Sequence, residues 1–347
     1  MRYSALFAAL LLGACTAADR TIGESSPSAD VWMFGEHVED LRAQSCPQGT
    51  TFQRASDLPI SVIDTERGTN SALKMNLTGL TLAGAWQLEA ENDEFGGLSG
   101  MDVLRSGSLL TVSDDGKFVW IGVDPVTGAP DGIGSIAYMR NTEGKIFPTK
   151  RAADAEDLAF RDGLAFVSFE QTHRIEAYDL ETCGTAAHAA RVVTLDKVVA
   201  GDVLRNNRGP EGLALVGETL EVGFEANASG GSPYGTARID GTLENLQRTR
   251  QPLLYMLTGL DHEDGLSTKV FRAYDPARGA RAILQVYANG EQIAEARLKP
   301  PLPVDNFEAV ALGTAPDGAR RIWLLSDDNF SSDQRTLLLA LDLDVAL

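Results

Sequence analysis

Beyond about residue 50 the chain alternates short apolar runs with turns of Gly, Asp, Asn and Pro, a texture that predicts strands. No stretch there sustains a helical period. Val304–Phe330 shows the pattern in full. It opens on Asn306, Phe307 and Glu308, runs through Ala309–Leu312, and turns at Asp317-Gly318. It returns through Ile322–Leu325 and ends in Ser326-Asp327-Asp328-Asn329. Two strand-length runs about one turn signal predict a hairpin with acids at its far ends. Upstream, Val31–Ala43 is compatible with a short helix or loop, with Trp32, Phe34, Val38 and Leu41 loosely on one face.

The same pattern recurs. Gly96–Ser99, Glu156–Ala159, Glu211–Ala214 and Glu308–Ala311 align as the cores of four first runs. Each is followed by a turn and a second apolar run closing on acid: Asp114-Asp115, Glu170, Glu225 and Asp327-Asp328. A third run then closes on Asp124, Asp179, Asp240 or Asp342. A unit closing at Asp64 upstream and one at Asp275 bring the count to about six, each of three or four strands. Repeated units of this size predict an all-β fold, a β-propeller-like ring of about six blades over residues 51–347. A long β-sandwich has no reason to repeat an acid at the same point of every unit.

Charge narrows the partners. Lys and Arg number 30 against 49 Asp and Glu, a formal charge of −19, and no basic run occurs. Nucleic acid is therefore excluded as an expected partner. An anionic substrate on such a surface needs a bridging cation.

Glu156, Glu211 and Glu308 share one place in their units, with Gly96 in that place in the first copy. In a ring they converge at one end of the axis, where they are the candidate catalytic carboxylates, with Glu211 as general base. A second set, Asp114, Asp115, Asp157, Glu170, Glu225, Asp327 and Asp328, is the candidate metal shell. Calcium suits such oxygen-rich surroundings, although acids at blade turns also cap backbone amides without any ligand. Lys150, Arg151, Arg205 and Arg208 stand just before two of the Glu positions and are candidates for binding phosphate. Other chemistries lack their motifs: the four His show no H-E-x-x-H spacing, and Ser99 does not sit in G-x-S-x-G.

Arg2 and the apolar Ala5–Leu12 form an export signal too short to span a bilayer. Leu12-Gly13-Ala14-Cys15 resembles the lipobox of bacterial lipoproteins. That resemblance implies cleavage after residue 14 and acylation of Cys15 as a bilayer anchor. With Thr16 following, it implies the outer membrane, facing the periplasm. Residues 15–50 are read as the lipidated Cys and its tether. Cys46 and Cys183 remain, and two thiols in an oxidising compartment suit one disulfide.

The ordered set FGGLSGMDV, SDDG, DAEDLAF, SFEQTHRIEAYD, GPEGLA, VDNFEAVAL and LLSDDNFSSDQRTLLL resembles the bacterial phytase-like family, titled "esterase-like activity of phytase". The resemblance spans residues 60–347. It implies a propeller-like fold, export, and a calcium-assisted hydrolase of a small-molecule phosphate or other ester. The alternative is a non-catalytic propeller that binds a ligand or serves as a structural lipoprotein at the envelope.

Overall fold

A computed structural model describes residues 30–205, 208–226 and 230–344. The export signal and Cys15 lie outside the described residues. Five antiparallel sheets of four or five strands make five blades rather than six. Their inner strands are Leu98–Val103, Ala155–Arg161, Pro210–Val216, Met256–Glu263 and Phe307–Thr314, which define blades 1 to 5 in chain order. Each inner strand packs against the next, and that of blade 5 returns to blade 1, so the ring is closed.

The surplus unit in the sequence count is the one closing at Asp64. Ser61–Asp64 is not part of a separate blade; it is the outer edge of blade 5, paired with Leu80–Glu89. Leu80–Glu89 in turn pairs with Leu337–Leu343, so the two ends of the chain complete one blade. Asp275 likewise closes no blade, because it ends the second strand of blade 4, Leu266–Asp275.

The apolar runs are nearly continuous because the middle strands are covered on both faces. Leu109–Ser113, Leu164–Phe169 and Arg174–Asp179 are buried throughout. Five buried apolar clusters occur among the described residues, one at each blade–blade seam. Near the axis the inner strands approach so closely that glycine is required. A Cβ on Gly100 would stand 2.5 Å from the Asp157 Cα, and one on Gly259 would stand 2.4 Å from the Glu308 carbonyl oxygen.

The segment before Leu80 is a belt around this ring. Val31 bridges to Arg238 of blade 3. The helix Phe34–Ser45 then lies on blade 2, with Trp32 and Phe34 against Phe166. Residues 31–50 are thus part of the folded body, and only the part of the expected tether before them lies outside it. Cys46, at the end of this helix, is disulfide-bonded to Cys183 of blade 2. Ser56–Pro59 continues onto the outer edge of blade 1, Ser61–Asp64 onto blade 5, and Leu77–Thr78 onto blade 4. Every blade is touched. No helix among the described residues is long and apolar enough to cross a membrane.

Candidate functional site

At the end of the ring where the inner strands begin, each blade places two residues in equivalent positions. The first lies at a register shift near the start of the inner strand. Such a bulge leaves one residue out of the ladder and redirects its side chain. The residues there are Ser99, Glu156, Glu211, Thr258 and Glu308 in blades 1 to 5. Ser99, not Gly96, therefore occupies the place of the three Glu in the first blade. Ser99 and Thr258 bond the next inner strand, donating to the Ala155 and Phe307 carbonyls at 2.6 and 3.1 Å. The three Glu are free of that task.

The second position follows the residue paired with the inner-strand residue just before the bulge. In blades 1, 2, 3 and 5 it is Asp114, Glu170, Glu225 and Asp327. Their amides donate to the carbonyls of Gly97, Asp154, Gly209 and Asn306 at 2.8, 2.8, 3.2 and 3.0 Å. In blade 4 the corresponding residue is Arg272, paired with Met256. Four blades put an acid at this height and the remaining blade puts the cation.

Arg272 holds together what surrounds it. Its guanidinium lies 2.7 Å from Glu308 and 3.5 Å from Glu225, and it donates to the Asn306 side-chain oxygen at 2.6 Å. Burial works against its charge, but Glu308, Glu211 and Glu225 outweigh that and push its pKa up. Asn306 also donates to Glu308 at 2.8 Å.

The inner-strand ends form a funnel of acids, and on its other side no ion pair bridges the carboxylates among the described residues, although Lys150 and Arg174 act on Asp154 from nearby. Asp154, Glu156 and Glu170 each offer a carboxylate oxygen within 4.8 Å of the others. Burial raises the Glu156 pKa well above the carboxylate range, and Glu211, Glu170 and Glu308 add to the rise. Glu170 is pushed up to about 8 by burial and by Asp154. Glu211 is only 5 % exposed and, among the described residues, its carboxylate has neither a hydrogen-bond nor an ion-pair partner. Burial, then Glu225, raises its pKa, with Arg272 opposing. Across the ring Asp327 is pushed up to about 8 by burial and Glu308. Two features therefore fit a hard divalent cation: an all-oxygen donor set and a buried carboxylate without a partner.

Sequence reasoning also gathered residues that face elsewhere. Asp157 accepts the amides of Leu158 and Leu213 at 2.8 and 2.7 Å, stitching blade 2 to blade 3. Asp115 pairs with the buried Lys117. Asp328 accepts from Gly97, Phe330 and Thr336, closing the loop between blades 5 and 1. All three are used by the fold and leave the candidate metal shell. Of the bases, Lys150 pairs with Asp114, while Arg151 and Arg205 are exposed and Arg208 is half-buried in the approach loops.

Two residues escaped the sequence reading. Asp154 stands two before Glu156, as Asn306 stands two before Glu308. Arg272 follows Val270-Phe271 as Glu225 follows Gly223-Phe224, and that shared Phe was the available signal.

The family model described as "Phytase-like: Esterase-like activity of phytase" matches residues 93–267, just over half of the chain. The chain belongs to this phytase-like family. The match covers blades 1 to 3, apart from the edge strand Ser56–Pro59, and the first strand of blade 4, and so includes Glu156 and Glu211 but not Arg272 or Glu308. No curated protein matches the phytase-like chain in sequence. Among solved structures it is similar to the PQQ-bound aldose sugar dehydrogenase of Streptomyces coelicolor, at 14% identity, with 75% of this chain and 98% of that chain covered and a TM-score of 0.40. It is also similar to the glutaminyl cyclase of Myxococcus xanthus, at 13% identity, 77% and 97% coverage and a TM-score of 0.42. An α-L-arabinofuranosidase of Clostridium thermocellum aligns at 11% identity, 70% and 88% coverage and a TM-score of 0.44. Such distant likenesses carry no chemistry to this chain.

Proposed function

We propose that this phytase-like propeller is a calcium-assisted hydrolase of a small-molecule phosphate or other ester, working in the funnel at the acid end of the ring. The observation that carries this reading is the gathering of Asp154, Glu156 and Glu170 within 4.8 Å, with Glu211 beside them and, among the described residues, no ion pair to any of these four. Asp154, Glu156 and Glu170 would hold the ion. When bound, calcium supplies positive charge that offsets both these carboxylates and the anionic oxygens of the ester.

Glu211 is the general base. Its oxygen takes a proton from water as the water oxygen bonds to phosphorus or to the acyl carbon. As the ester bond breaks, the same carboxyl returns that proton to the leaving oxygen. A raised pKa suits the role, because a base titrating nearer neutrality both accepts and releases the proton readily. Arg272 fixes Glu308 beside it, and Lys150, Arg151, Arg205 and Arg208 line the approach for an anionic substrate.

The sequence at Cys15 supports an exported form anchored by acylation to the outer membrane and facing the periplasm. The decisive experiment assays the purified protein on phytate, a nitrophenyl phosphate and a nitrophenyl carboxylate ester, with calcium and then with EDTA. Turnover that EDTA abolishes and calcium restores supports the reading. Absence of turnover on all three overturns it in favour of a binding propeller.

A further inference from the structure

The funnel has two unlike halves, and the difference is one residue. On one side Glu225 and Glu308 are bridged by Arg272 at 3.5 and 2.7 Å, and Asn306 supplies further bonds to both the guanidinium and Glu308. On the other side Asp154, Glu156 and Glu170 crowd within 4.8 Å, and none of the three forms an ion pair among the described residues; Lys150 and Arg174 act on Asp154 only from farther off. Glu211 is 5 % exposed and without a partner among the described residues. Like carboxylates in a poorly solvated space require compensation, and each half contains a cluster that needs it. Arg272 stands where blades 1, 2, 3 and 5 carry Asp114, Glu170, Glu225 and Asp327.

We propose that Arg272 is a built-in substitute for a second metal ion. The ring then takes one divalent cation, held by Asp154, Glu156 and Glu170 with Glu211 facing it, while the guanidinium fills the position a second cation would take beside Glu225 and Glu308. This rests on the reading of the funnel as a cation site and adds its stoichiometry and its place. Arg272 is a positioning residue. A planar guanidinium with fixed donors orients Glu308 and Asn306 in a way a mobile hydrated ion does not.

Calcium binding to the purified protein, measured by calorimetry and by equilibrium dialysis, tests this without recourse to activity. Wild type is expected to bind one calcium, and Arg272→Lys also one. Arg272→Gln removes the charge and is expected to bind two. Glu156→Gln is expected to lose the wild-type ion, with affinity down at least tenfold, and Glu308→Gln to keep it. Terbium luminescence reports the same pair of variants independently, should Arg272→Gln fold poorly. Two calcium ions in wild type overturn the inference, as does one in a folded Arg272→Gln protein or loss of the ion in Glu308→Gln but not in Glu156→Gln. No calcium in wild type overturns the cation reading itself, which separates the two failures.

Discussion

The Asp157 carboxylate of blade 2 accepts the Leu213 amide of blade 3 at 2.7 Å while also accepting the amide of Leu158. One side chain thus satisfies backbone donors on both sides of a seam near the axis. Asp157→Ala leaves those buried donors unpaired, at about 1–3 kcal/mol each. The expected outcome is a lower denaturant midpoint with calcium affinity unchanged. A drop in calcium affinity with stability intact would instead return Asp157 to the metal shell.

Glu211→Gln separates chemistry from folding. Loss of a general base lowers turnover by about 10²–10⁴-fold. The metal-free protein is expected to melt at a higher temperature than wild type, because a buried carboxylate beside Glu225 and Glu308 is replaced by a neutral group. Melting at a lower temperature would mean that Glu211 has a stabilising partner in the fold.

The pH dependence of metal-free stability has a definite sign. Glu170 and Asp327 titrate at about 8 in the folded protein, against 4.5 and 3.8 for ordinary Glu and Asp. Between those values the folded state binds more protons than the unfolded one, so stability falls as pH rises. Without metal, the melting temperature should decline from pH 5 to pH 8, and saturating calcium should flatten that decline. A metal-free melting temperature that rises over the same range would show that these carboxylates are ionised and compensated.

Blades 1, 2, 3 and 5 were legible because their acids and turns repeat in the sequence. Blade 4 was legible only as a unit ending at Asp275, because Thr258 and Arg272 stand where its neighbours carry acids and its strands are longer. The count rose to six because Ser61–Asp64 looks like the end of a unit, and only ring closure shows it to be an edge of blade 5. Gly96 was matched to Glu156 because each stands two before a Leu, Leu98 and Leu158, whereas the pairing of the strands puts Met101, three residues on from Leu98, in the place of Leu158. Which acids face the funnel was also hidden. Asp157 and Glu156 are adjacent, and alternation along the strand sends them to different tasks.

Cys46→Ser tests the join between belt and ring. The bond to Cys183 closes a sequence separation of 137 residues, and removal of such a link costs about 2–5 kcal/mol. The guanidinium midpoint of the variant should fall, and wild type with reductant should match it. Equal midpoints in oxidised and reduced wild type would show that the helix Phe34–Ser45 is held by packing alone.

The belt acquires a mechanical meaning from the charge it surrounds. Like carboxylates at the axis push their blades outward, and a strand of chain that touches all five blades from outside acts as a hoop. It is pinned at Val31 on blade 3, at Cys46 on blade 2, and by the strands Ser56–Pro59, Ser61–Asp64 and Leu77–Thr78 on the remaining three. Radial swelling of the funnel becomes tension along that segment, on the outside of the ring. A nick in the belt would therefore widen the mouth of the ring and loosen its grip on whatever sits at the centre.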